Sequence, residues 1–114
     1  MAIKKSIMSR AGFNMEYWRI TDWHIRMTQN LMDITLTPYV SSQTREDGLE
    51  PINEEIRKIR VYDDIDKNVP ENSTYAYTEN FSPQALENAQ TDIYKLMYEY
   101  IKNNVSEFEG AKDC

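Results

Sequence analysis

The chain has 114 residues, a formal net charge of −6 and a single cysteine, Cys114. One domain of this size buries a real core with a thin stability margin. The acidic balance argues against a nucleic-acid coat or a binder of anionic membranes, and one cysteine allows neither an intrachain disulfide nor a thiolate metal site.

The charge is unevenly placed. Lys4, Lys5, Arg10, Arg19 and Arg26 face only Glu16 and Asp22 over residues 1–30, and acids dominate from Glu46 onward. This split suits head-to-tail contact between copies; the plainer reading, which is preferred, is a charge drift along a solvated surface. There is no apolar run long enough to span a bilayer, and no apolar stretch of the signal-peptide kind follows Met1-Ala2-Ile3-Lys4-Lys5. The expected location is therefore the cytoplasm, unless the protein leaves within a particle or through lysis.

In chain order, Ile3 to Met8 reads as a strand and Ala11-Gly12 as a turn. Phe13, Met15 and Tyr17 then alternate with Asn14, Glu16 and Trp18, which is the pattern of a strand. A break is expected at Thr21-Asp22, before a further strand in which Trp23, Ile25 and Met27 share a face. Gln29-Asn30 is a hairpin turn, since asparagine tolerates a positive φ. Leu31 to Val40 is the clearest two-sided strand, with Met32, Ile34 and Leu36 on one side and Asp33, Thr35 and Thr37 on the other. Pro38 cannot donate to a ladder and places that end at a sheet edge or outside the sheet. Ser41 to Pro51, with Gly48, is a loop; Ile52 to Ile56 can form a helical turn; Ile56 to Tyr62 is a strand with Ile59 and Val61 on one face. Asp63 to Ser73 reads as a loop, and Thr74 to Thr78 as a last short strand or an extended arm.

From Leu86 the period changes. Leu86, Ala89, Ile93, Leu96, Met97 and Tyr100 recur at three- and four-residue steps, the mark of a helix with one buried face. Ser82 is a natural N-cap, Pro83 suits the first helical position, and Phe81 with Leu86 makes a hydrophobic staple. One helix is predicted over 83–104, followed by a short tail over 105–114. Tyr94, Tyr98, Ile101 and Val105 form a second stripe. The two stripes span roughly 200°, against the ~100° that packing on one sheet needs. These four residues are the candidate interface with another chain, the alternative being ordinary intrachain packing. The predicted fold class is mainly β (α+β): an antiparallel β-sandwich-like body of about five to seven strands, residues 2–79, with one C-terminal amphipathic helix, all in a single domain. One curled sheet is the other possibility, and the sandwich is preferred on strand count.

No site with a specific chemical signature emerges. His24 is the only histidine, and no nucleophile motif accompanies it. Asp63, Asp64 and Asp66, with Glu71, are the candidate metal ligands because clustered hard oxygens suit Ca²⁺; yet the spacing is not that of an EF-hand, and a solvated acidic loop is preferred. Nineteen acidic residues make any carboxylate pair unspecific as a sign of glycoside hydrolysis. Trp18 and Trp23 suit a sugar platform less well than they suit core or interface anchors. Three unclustered glycines build no phosphate loop. No catalytic residue and no cofactor is expected.

Two stretches carry a resemblance. Met1-Ala2-Ile3-Lys4-Lys5-Ser6-Ile7 with Glu16-Tyr17-Trp18-Arg19-Ile20 opens the chain, and Tyr98-Glu99-Tyr100-Ile101-Lys102 with Glu107-Phe108-Glu109-Gly110-Ala111-Lys112-Asp113-Cys114 closes it. This layout resembles small late-gene proteins of tailed phages and prophages, and among them those of the host-lysis cassette. The resemblance implies an antiparallel β-sandwich with a C2-like outline, a ring-shaped homo-oligomer, and an accessory, non-enzymatic role in lysis. The implied partners are copies of the chain itself and other phage proteins, without nucleic acid, and membrane contact is left open. The implied location is the host bacterial cytoplasm or the virion. The other role that fits is that of a structural virion protein of the tail, baseplate or head decoration. The family supplies no catalytic residues, and the acidic loop lacks a convincing C2 ligand pattern.

Overall fold

In the computed structural model, which describes residues 2–41 and 51–113, the strands form one antiparallel six-stranded sheet in the order β5-β4-β3-β2-β1-β6. They are β1 (Ile3–Met8), β2 (Asn14–Arg26), β3 (Leu31–Tyr39), β4 (Arg57–Asp64), β5 (Thr74–Tyr75) and β6 (Lys112–Asp113). Three helices accompany them: α1 (Ala76–Phe81), α2 (Pro83–Ala89) and α3 (Ile93–Asn104). The fold is α+β and mainly antiparallel, as its alternating sequence predicts, and the sheet curls into a half-barrel. Helices, rather than a second sheet, supply the partner layer.

Alternation produces the register. Ile20 pairs with Leu36, Trp23 with Ile34 and Ile25 with Met32 across β2 and β3, while Ile34 pairs with Ile59 and Met32 with Val61 across β3 and β4. Opposed residues point to the same face, so these pairs make one apolar surface. Tyr77 and Phe81 of α1 and Met97, Tyr98 and Ile101 of α3 belong to the same buried cluster. Each fully buried large side chain contributes about 1.5–3 kcal/mol.

Several boundaries differ from the sequence pattern. The break expected at Thr21-Asp22 is a bulge: Ile20 faces Leu36, Asp22 faces Thr35, and β2 continues as a single strand of 13 residues. One extra residue re-phases a strand without ending it. Met27 lies in a 3-10 turn over Met27–Gln29, closed by Asn30 at φ 51°. Pro38 pairs with Trp18, but β4 reaches only Leu36, so among the described residues no strand lies on its other side; its carbonyl accepts from the Ile52 amide. The helical turn expected near Ile52 is the 3-10 turn Asn53–Glu55. Gly48 and the rest of the predicted loop between Ser41 and Pro51 lie outside the described residues.

The single helix predicted over 83–104 is two. Gln90 adopts a left-handed conformation at the end of α2, and Asp92 caps α3 by accepting from the Lys95 amide. The start is as predicted, with the Ser82 hydroxyl accepting from Ala85 and Pro83 following. An additional helix, α1, occupies part of the predicted extended arm. The tail also joins the fold: Phe108 is fully buried and meets Trp18 edge-on at 5.1 Å, and β6 pairs with β1. Arg57 covers the same indole at 5.5 Å and binds Glu107 of the tail at 2.9 Å.

Candidate functional site

The sheet face opposite the apolar pairs carries polar residues in register. Asp22, Thr35 and Lys58 form one row across β2, β3 and β4, and His24, Asp33 and Arg60 form the next. The two rows line a shallow cleft of about 460 Å³. Arg60 donates to both oxygens of Asp33 at 2.8 and 3.2 Å, and these hydrogen bonds hold the Asp33 carboxyl below its ordinary value. His24 therefore stands opposite a carboxylate that is already engaged, and no hydrogen bond joins His24 to the described residues. The ladder is a polar surface suited to recognition, without the histidine–acid orientation that general-base chemistry uses.

Beside this cleft runs a stretch of unpaired strand backbone. The pairing of β1 with β2 ends at Trp18, so among the described residues no strand meets β2 from Arg19 to Arg26 on the side away from β3. The Tyr98 hydroxyl closes the start of that edge. It accepts from the Ile20 amide at 2.8 Å, and burial pushes the Tyr98 phenol above its ordinary pKa. At the far end the 3-10 turn Met27–Gln29 leaves the sheet. Between these limits Asp22, His24 and Arg26 are exposed, Trp23 and Ile25 are half-buried, and Met27 is 60% exposed. Tyr94 packs edge-on against Trp23, with ring centroids 4.8 Å apart, yet remains 43% exposed. A second cleft of about 320 Å³ lies here, lined by Arg19, Ile20, Asp92, Tyr94 and Tyr98.

The residues singled out from sequence are distributed differently from the prediction. Tyr98 and Ile101 are 2% and 0% exposed and are corrected to core positions; Tyr94 and the half-buried Val105 keep accessible surface. The broad apolar arc of the helix is thus largely consumed within the chain, because β2, α1 and the returning tail surround it. Asp63 and Asp64 end β4 instead of lying in a loop. Asp63 accepts from the Thr78 amide and hydroxyl, and Asp66 accepts from the amides of Asn68 and Val69. Those carboxylates serve as local caps, and no group of three or more possible metal-ligating side chains occurs among the described residues. Trp18 is fully buried, with its indole N–H donating to the Lys5 carbonyl, so it offers no sugar platform; Trp23 retains a partly open face.

The bare edge had no distinct signal in the sequence. Its one local trace was the interruption of alternation at Thr21-Asp22, now seen as the bulge at its start. Compared with models of known families, with characterised proteins and with solved structures, the chain gives no match.

Proposed function

We propose that this protein is a non-enzymatic, self-associating accessory factor of a phage or prophage host-lysis cassette. The observation that carries self-association is the bare β2 edge flanked by the Trp23–Tyr94 aromatic shelf. Unpaired strand backbone beside exposed aromatic surface is what a partner chain completes. The phage assignment rests on the opening and closing segments quoted above. On this reading the protein works by association, with copies of itself and other phage proteins as partners, in the host bacterial cytoplasm. No helix among the described residues is long and apolar enough to cross a membrane.

Two measurements test the proposal. Mass spectrometry of purified phage particles is expected to find the protein absent or substoichiometric. Stoichiometric presence would overturn the lysis role in favour of a structural virion component. Light scattering on the purified full chain at high micromolar concentration is expected to report more than the 13.5 kDa of one copy; a monomer there removes the homo-oligomer.

A further inference from the structure

We infer that the β2 edge is self-complementary and joins two copies about a two-fold axis through His24. The inference rests on the self-association proposed above and assigns it a surface and a register. The usable edge is bounded by Ile20, whose amide is held by Tyr98, and by the turn that begins at Met27. The strand between them is Asp22-Trp23-His24-Ile25-Arg26, with His24 at its centre.

Antiparallel pairing of this segment with itself places His24 opposite the partner's His24. Asp22 then faces the partner's Arg26, and Arg26 faces the partner's Asp22. Trp23 faces the partner's Ile25 on the other side of the sheet, again twice by symmetry. Every cross-strand pair flanking the axis is thereby either opposite in charge or apolar on both sides, the combinations that stabilise antiparallel strands. Neither Asp22 nor Arg26 forms an ion pair among the described residues, so both are available.

The hydrogen-bond phase agrees with this register. Groups along an antiparallel strand point alternately to its two sides. The Ile20 amide points away from β3, toward Tyr98. After the bulge, the backbone groups of Trp23 and Ile25 point the same way, and these are the residues that the pairing sets opposite each other. This isologous contact closes at two copies, so a larger ring needs a second surface.

The test uses charge exchange in the full-length chain. Asp22→Arg puts two cations along this face and Arg26→Asp puts two acids, so each variant opposes like charges when it pairs with itself. Each is expected to raise the dissociation constant of the dimer on the order of 10- to 100-fold in analytical ultracentrifugation. An equimolar mixture of the two variants restores opposite charges at every position and is expected to recover a heterodimer near the wild-type affinity. In the wild-type dimer, the Trp23 and Ile25 amides are expected to gain protection from hydrogen exchange with rising concentration. If wild type self-associates but both variants associate equally well, the β2 edge is refuted while self-association stands. If wild type is monomeric at high micromolar concentration, both are refuted. Variants that dissociate without recovery on mixing refute the antiparallel register.

Discussion

The hydroxyl of Tyr98 joins the last helix to the start of the open edge, and its removal has a calculable effect. Tyr98 is 2% exposed, and its oxygen accepts the 2.8 Å bond from the Ile20 amide, a contact 78 residues away in sequence. Tyr98→Phe keeps the ring in the core and deletes the acceptor. A buried N–H left without its partner costs about 1–3 kcal/mol. For a domain of this length the same loss lowers Tm by roughly 4–13 °C. Urea unfolding followed by tryptophan fluorescence reads the change directly: the midpoint falls while the slope stays constant, because packed surface is unaltered. Amide exchange at Ile20 accelerates as well. Tyr100→Phe is the control, since the Tyr100 ring packs against Phe81 at 5.6 Å and no hydrogen bond joins its hydroxyl to the described residues. A Tyr98→Phe protein within about 0.5 kcal/mol of wild type, with Ile20 still protected, would refute the assignment of this bond as structural.

Phe108→Ala, which removes the buried edge-on partner of Trp18, is expected to cost about 3–5 kcal/mol by thermal or urea unfolding; a loss below ~1 kcal/mol means the tail is not part of the core. Gln90→Gly is expected to stabilise by about 0.5–1 kcal/mol, because Gln90 is left-handed at φ 52° and glycine takes that conformation without a Cβ penalty; a drop in Tm contradicts this cap. Acid is expected to destabilise. Glu55 is held below its ordinary 4.5 first by the Arg10 backbone amide, and Asp33 below its ordinary 3.8 first by the Arg60 side-chain hydrogen bond. Both contribute stability that is complete above those values and is lost as pH falls through the lowered, folded-state pKa values. Equilibrium unfolding from pH 6 to 2 should show a decline beginning near pH 4.5, shallower in a Glu55→Gln, Asp33→Asn double variant; an unchanged slope in that variant removes these two groups as the cause.

Much of the fold was legible because its determinants are local. The alternation of Met32, Ile34 and Leu36 marks β3 whatever its partners, and Ser82-Pro83 marks a helix start because the cap forms within one turn. Asn30 closes the β2–β3 hairpin for a similarly local reason. The break between α2 and α3 was hidden by an apolar period that runs unbroken through it. Gln90 is an unusual choice for a left-handed cap, and Asp92 is by itself a modest signal of a new helix start.

The amino-acid sequence by itself determined a mainly antiparallel α+β chain, the faces of its strands and the start of the helix at Pro83. The choice of one curled sheet in place of a sandwich depended on the tertiary structure, as did the burial of Tyr98, Ile101 and Phe108. So did the engagement of Asp63 and Asp66 as caps and the open edge of β2. The division has a physical cause. Periodicity and capping act over a few residues, whereas an edge is defined by which strand fails to arrive. The β1–β2 ladder stops at Trp18, and Tyr98 comes from the far end of the chain to close one amide beyond it. What the fold leaves open after that point, Asp22 to Arg26, exists as a surface only once every other strand has found its place.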